Sequence, residues 1–341
     1  MNKMNFKNKA TLHNVAELVP MDIGSRICRV PSPVREKMID SAKNNIVYKW
    51  NGVEIRFVIE SGKEAFVTIY NEDESDNWDS TAFLYLGDYQ YGWINLTNYH
   101  LNPGMNRIPI TLPDNMEVLR EDAKRMGHGF SPDVVRLSMI NSIYRIVDVE
   151  GNTRPPKKEE LPKETAVFYG SSITYGSLSM NPCINYVSLC GKSLGIDVLN
   201  KGMAGSCFME KEVIDYILSF GNAKFFSVEV ASNCVCLGAE EVAKRTKYLV
   251  DSFKQKNYDK HLFVADMFLT DKEHDETREA IRKVVENSKC DYIHFIKGYD
   301  IIPDLSYCTA DRLHPSIEGH HKMAQALVNE YKKVLKCEND M

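Results

Sequence analysis

The chain has 341 residues, 43% of them hydrophobic, and a net charge of −5, which allows two folded domains with sizeable cores. Its slight acidity, without a basic stripe or a nucleic-acid motif, argues against nucleic acid as a partner. No window approaches the roughly 18 uninterrupted apolar residues of a membrane span.

The start, Met1 to Lys7, is polar and lacks the apolar core of a secretion signal. The nine cysteines have no paired framework spacing and fit reduced thiols. Together these features predict a cytoplasmic address and no membrane partner.

From Val53 onward apolar residues fall at Val53, Ile55, Phe57 and Ile59, the period of two of a half-buried strand. Ala65, Val67 and Ile69 repeat it after the hairpin-like Ser61-Gly62-Lys63. Further strands are expected at Phe83–Leu86, Gly92–Leu96, Asn106–Thr111, Val134–Met139 and Ile143–Val149. Many short strands without long amphipathic helices between them predict an antiparallel β-sandwich, jelly-roll-like, over residues 1–154.

Within it, the acidic run Asn71 to Asp79 precedes Tyr85, Tyr89, Tyr91 and Trp93. Carboxylates beside aromatic faces suit sugar binding or a wall for substrate selection, while a solvated loop and core aromatics explain the same residues. No EF-hand spacing supports calcium.

Gly151 to Lys163 is charged and proline-rich, which disfavours sheet and helix; residues 155–164 read as a linker. Beyond it, over 165–341, strands at Thr165–Tyr169, Ile196–Leu199, Phe225–Val230, His261–Phe268 and Tyr292–Ile296 alternate with helices. The helices are expected at Ile184–Leu194, Glu210–Phe220, Ala239–Lys256, Asp275–Asn287 and Ile317–Leu335. Such alternation predicts an α/β fold, a doubly wound parallel sheet with right-handed crossovers.

The first of these strands ends at Gly170 and delivers Ser171 and Ser172 to the start of a helix, where negative charge is favoured. Asp311-Arg312-Leu313-His314 places an acid and a histidine on one turn, so that Asp311 can hold one imidazole nitrogen while the other takes a serine proton. Asn200 to Gly205 follows the second strand and Asn233 follows the third. Ligands of open parallel sheets bind beyond the strands' carboxyl ends, so Ser172, Gly205 and Asn233 are expected at one crevice. A glycine N–H and a side-chain amide are suitable oxyanion donors.

These four segments, in this order, resemble the blocks of the SGNH or GDSL-type serine hydrolases. Gly170 to Thr174 matches the first block, Asn200 to Gly205 the second, Ala231 to Asn233 the third and Asp311 to His314 the fifth. The resemblance spans Thr165 to about Cys337. It implies Ser172 as nucleophile, His314 as general base and Asp311 as its orienter, with an oxyanion hole of the Ser172 N–H, the Gly205 N–H and the Asn233 amide. Ser171 stands where the family usually has aspartate, as in a Gly-Ser-Ser subgroup that includes carbohydrate deacetylases and two-domain relatives with an N-terminal β-sandwich. Cys234 stands where an acid often follows the asparagine.

The chemistry implied is a two-step acyl transfer on a small acyl ester, acetyl on a carbohydrate by family analogy. It needs no metal or organic cofactor. Cys234-Val235-Cys236 lacks zinc-knuckle spacing, and His320 and His321 diverge on a helix, so neither pair predicts a metal site.

Three other readings stay open. In the first, the same site passes the acyl group to another alcohol, as an acyltransferase. In the second, the sandwich is the working part of a non-catalytic carbohydrate-binding protein. In the third, Gly170 to Thr174 cradles a phosphate, although no Gly-x-x-x-x-Gly-Lys is present and His314 and Asn233 would then go unused. The substrate is a small-molecule or oligosaccharide ester; acyl length, alcohol and oligomeric state are undetermined by the sequence.

Overall fold

The alternating apolar residues of the first half fold into two antiparallel sheets. The computed structural model describes residues 8–73, 80–93, 98–140, 142–230, 232–268 and 274–335. The chain divides into two units: residues up to Ser32, Val47–Lys163 and Gly195–Asp197 in one, and Pro33–Ile46, Glu164–Leu194 and Val198 onward in the other.

The first unit contains β1 (Thr11–His13), β2 (Glu17–Pro20), β3 (Ser25–Cys28), β4 (Glu54–Ile59), β5 (Glu64–Asn71), β6 (Thr81–Leu86), β7 (Tyr89–Tyr91), β8 (Tyr99–His100), β9 (Gly104–Thr111), β10 (Val134–Met139), β11 (Tyr144–Glu150) and β12 (Thr153–Arg154). One sheet has the order β1-β4-β10-β6-β7, with β12 on β4 and β8 on β6; the other runs β2-β3-β11-β5-β9. Ile55, Phe57, Leu84 and Leu137 from the first sheet and Val67, Ile69, Ile108 and Ile146 from the second join one buried core. This is a β-sandwich.

Several details differ from the sequence reading. Strand β4 is buried along its whole length rather than on alternate residues. Its polar positions are buried because Arg56 and Arg136 both bond the Glu54 carboxylate, so a paired charge replaces a solvated face. The strand expected at Gly92–Leu96 is instead β7, and residues 94–97 lie outside the described residues. An amphipathic helix interrupts the strands at Met116–Met126, closed by Gly127 in the left-handed conformation. It follows two short helices, α1 (Ser32–Arg35) and α2 (Asp40–Asn44), and is labelled α3.

The proline-rich stretch is also more ordered than its composition suggests. Strand β12 pairs with β4, and Lys158–Glu160 form a 3-10 turn held by two Arg154–Glu160 hydrogen bonds. Three of the aromatics weighed for sugar binding turn inward: Tyr85 is buried, Tyr91 and Trp93 pack on the core, and the Trp93 indole donates to the Pro109 carbonyl. Glu72 is bonded by Arg26 and Arg145, while residues 74–79 of the acidic run lie outside the described residues.

The second unit is a parallel sheet built from β13 (Thr165–Tyr169), β14 (Asp197–Asn200), β15 (Phe225–Glu229), β16 (His261–Ala265) and β17 (Ile293–Ile296). Its order is β14-β13-β15-β16-β17, the flavodoxin-like order 2-1-3-4-5. The helices are α4 (Ser172–Tyr175), α5 (Tyr186–Leu194), α6 (Lys211–Ile217), α7 (Ala239–Gln255), α8 (Asp275–Asn287), α9 (Gly298–Ile301) and α10 (Ile317–Leu335). Helix α5 packs with α10, and α7 packs with both α6 and α8. Strands β15 and β16 are buried throughout, as expected of a sheet covered on both faces. Strand order reverses between β13 and β15, so the two segments that leave them flank the crevice where this fold binds ligands.

Candidate active site

The candidate residues sit in turns that adjoin elements of the second unit. Strand β13 ends at Tyr169, and the chain turns through Gly170 into the single-turn helix α4. Ser171 caps that helix: its hydroxyl accepts from the Ile173 N–H at 3.2 Å, the usual service of a serine at this position. Ser171 is buried, whereas Ser172 is partly exposed.

The Asp311–His314 turn lies before α10 and is closed on itself. Cys308 and Pro315 form an isolated antiparallel bridge, and the Thr309 N–H donates to the His314 carbonyl at 2.8 Å. Arg312 adopts φ +60°, a left-handed conformation unusual for a non-glycine residue. The turn lets one oxygen of Asp311 accept from the Thr309 hydroxyl and from the Leu313 and His314 N–H groups, at 2.6, 2.9 and 3.0 Å. The other oxygen is 2.7 Å from His314 Nδ1. Partial burial raises the Asp311 carboxyl, but these hydrogen bonds outweigh it and hold the group well below the ordinary carboxylate range.

The far side of the imidazole faces the serine: His314 Nε2 is 2.8 Å from Ser172 Oγ. With the Asp311 carboxylate at Nδ1, the proton belongs on Nδ1 and the Nε2 lone pair is turned to the hydroxyl. The structure therefore brings Ser172, His314 and Asp311 into one chain of hydrogen bonds.

Asn233 lies in the turn after β15, and its Oδ1 accepts from the Cys207 N–H at 3.0 Å. A backbone donor can meet only the oxygen end of the amide, which fixes the orientation of its NH2 group. Gly205, two residues before Cys207, is exposed and left-handed at φ +63°, a conformation that glycine adopts without strain. The Cys207–Asn233 bond thus joins the loop that carries Gly205 to the loop that carries Asn233.

Other candidates separate. Cys234 is buried and Cys236 exposed, so the two thiols face different surroundings. His320 is buried against Tyr186, while His321 is exposed. Among the described residues no group of three or more His, Cys, Asp or Glu side chains is placed to hold a metal ion, and no helix is long and apolar enough to cross a membrane.

One site residue escaped the sequence reading. Glu229, the last residue of β15, has its carboxylate buried beneath the Ser171–Ser172 turn and accepts from the Ser171 N–H at 2.7 Å. Its signal was a lone acid inside the apolar run Phe225 to Val230, because a buried carboxylate needs partners to stay there.

Over residues 163–336, just over half of the chain, the sequence matches the GDSL-like lipase/acylhydrolase family. The chain belongs to that family. No curated protein matches it closely enough to count as a relative.

Solved structures with similar folds cover nearly the whole chain. Salicylyl-acyltransferase SsfX3 from a tetracycline biosynthetic pathway superposes with a TM-score of 0.76 at 13% identity, covering 96% of this chain and 95% of its own. A carbohydrate esterase family 2 enzyme with a carbohydrate binding domain, from Corynascus thermopiles (Myceliophthora fergusii), gives 0.59 at 15% identity, covering 88% and 98%. The acetyl xylan esterase Est2A of the rumen bacterium Butyrivibrio proteoclasticus gives 0.56 at 13% identity, covering 86% and 94%. At these identities the likeness is one of fold.

Proposed function

We propose that the chain is a serine esterase that cleaves a small acyl ester, acetyl on a carbohydrate, through an acyl-enzyme. The observation that carries this reading is the 2.8 Å approach of His314 Nε2 to Ser172 Oγ with the Asp311 carboxylate behind the same ring. Ser172 Oγ attacks the ester carbonyl as His314 takes its proton; Asp311 stabilises the imidazolium. The tetrahedral oxyanion is received by the Ser172 N–H, the Gly205 N–H and the Asn233 amide. His314 then protonates the departing alcohol, and water, deprotonated by the same nitrogen, releases the acid and restores Ser172.

Protein groups fill every role in this cycle, so it is written without a metal or organic cofactor. The chemistry belongs to residues 165–341, with the sandwich of residues 1–154 as a substrate-selecting or carbohydrate-binding module and 155–164 as the connection. The carbohydrate half of the ester rests on the fold shared with two carbohydrate esterases. Cytoplasmic action is part of this reading and rests on the cysteine spacing of the sequence, which has no paired framework.

Acyl transfer to an alcohol other than water is the second reading. It is favoured by apolar side chains left exposed beside the site residues in sequence: Leu178 and Met180 after the nucleophile turn, Leu237 after Asn233, and Leu313 next to His314. Such surfaces suit an apolar acceptor or acyl group.

The test is acid release from a short-chain aryl acetate and from an acetylated oligosaccharide, with Ser172→Ala as control, repeated with added acceptor alcohols. Turnover lost in the variant supports the esterase. A product mixture dominated by new ester would move the assignment to transfer. Sugar binding without turnover would leave a binding protein.

A further inference from the structure

The carboxylate of Glu229 takes no part in the cycle above, yet its surroundings are unusually specific. Its side chain is buried at the end of β15. Among the described residues no Lys or Arg pairs with it; its partners are one backbone N–H and three hydroxyls. Oε2 accepts from the Ser171 N–H at 2.7 Å and from the Thr174 hydroxyl at 3.1 Å. The Ser171 hydroxyl spans both oxygens at 2.7 and 3.0 Å, and the Ser232 hydroxyl bonds Oε1. The fit is close: a Cβ added at Gly170 would lie 2.6 Å from Oε2 and 2.2 Å from the Thr174 hydroxyl oxygen.

The donors come from two separate segments. Ser171 and Thr174 belong to the turn that presents Ser172, and Ser232 is the residue before Asn233. One carboxylate therefore ties together the backbone on either side of the nucleophile and the backbone that carries the proposed oxyanion amide. Burial without a counter-charge raises the Glu229 carboxyl, against the pull of the hydrogen bonds from Ser232, Ser171 and Thr174. A leucine at this position would avoid that desolvation, so the site retains a carboxyl group that packing alone does not require.

We propose that Glu229 is a positioning residue, a buried carboxylate that holds the Ser172 turn and the Asn233 loop at the separation needed for attack and oxyanion capture. This rests on the esterase reading above. Oxyanion donors act only when they are preorganised about the developing charge, and small displacements from the reacting geometry are costly in rate. Glutamine keeps the shape but supplies one acceptor oxygen and two N–H donors, so it meets fewer of the four donors. Alanine meets none.

The experiment compares wild type, Glu229→Gln, Glu229→Ala and Ser172→Ala on a short-chain aryl acetate, with active serines counted by a fluorophosphonate probe. Expected per titrated site are falls in kcat of about tenfold for Glu229→Gln and about a hundredfold for Glu229→Ala, with KM within about threefold of wild type. The rate of Ser172 phosphonylation should fall in parallel. A purely structural role would lower the number of titratable molecules and leave kcat per site untouched, which would overturn the proposal, as would a rise in KM alone.

Should both Glu229 variants fail to fold, Ser232→Ala decides. It removes one donor at a partly exposed position, and about a fivefold fall in kcat is expected; wild-type kcat there overturns the proposal. Turnover retained by Ser172→Ala would instead overturn the esterase reading itself.

Discussion

His314 Nε2 lies 2.8 Å from Ser172 Oγ, although 142 residues of sequence separate them. Only the doubly wound sheet brings the two together, since Ser172 leaves β13 and His314 precedes α10. If this contact is the proton-transfer path, Ser172→Ala and His314→Ala should each lower kcat by about a thousandfold or more, with folding unchanged by circular dichroism. Ser171→Ala should cost about tenfold, because the Ser171 hydroxyl faces Glu229 and the helix start rather than the imidazole. Equal losses for the two serines would move the nucleophile.

Asp311 has two jobs that substitution can separate. One oxygen orients His314, and the other accepts three donors from its own turn. Asp311→Asn offers Nδ1 of His314 either an amide donor or a weaker acceptor, which disturbs the tautomer that the reaction needs. A fall in kcat of about 10² to 10⁴ is expected, with the burst of acyl-enzyme formation slowed to match. Because the hydrogen bonds hold the aspartate ionised well below the usual range, Asp311 should contribute no titration step to kcat/KM between about pH 5 and 8. An acid limb that is still present in Asp311→Asn, whatever its position, is the corresponding observation, because it must then come from another group.

Asn233 is fixed by the Cys207 N–H, which engages its oxygen and leaves its NH2 group for the proposed role of oxyanion donor. Asn233→Ala should lower kcat by about 10² to 10³ with little change in KM, the pattern of an interaction made mainly in the transition state. Asn233→Asp should be at least as damaging, since it sets a negative charge where negative charge develops. Steady-state kinetics on an aryl acetate distinguishes this from a binding role, which would raise KM instead.

The second unit was legible because its signals are local. Apolar runs mark β13 and β15, and the residues just beyond them, Ser172 and Asn233, are carried to the strand ends by chain continuity alone. The Asp311–His314 spacing likewise defines a turn within one segment. Glu229 was not legible, because its meaning lies in donors 55 to 58 residues away, which no single segment displays. In the first unit the period-two pattern found β4 and β5 but misjudged the burial of β4. Glu54 and Arg56 look solvent-facing until Arg136 on the neighbouring strand is seen to complete the charge network. Helix α3 was missed because only Met116 and Ala123 are buried in it, too thin an apolar stripe to announce a helix.

His320 supplies a dependence of stability on pH that is separate from catalysis. Its Nδ1 accepts from the Tyr186 N–H at 3.3 Å, so the buried ring is neutral. Burial lowers its pKa from 6.5 to about 4, opposed by the Ser177 carbonyl and assisted by His314 and His321. Between those two values the unfolded chain binds a proton that the folded chain does not, so protonation favours unfolding. The contribution of His320 is thus fully present above about pH 6.5, is lost as the pH falls toward 4, and levels off below that. From pH 7 to 5 this amounts to about 2 kcal/mol. His320→Gln, which can still accept from Tyr186, should be less stable at pH 7 yet lose about that much less over the same interval. Urea midpoints of both proteins at the two pH values measure the difference, and parallel losses would show that burial does not depress the ring's titration.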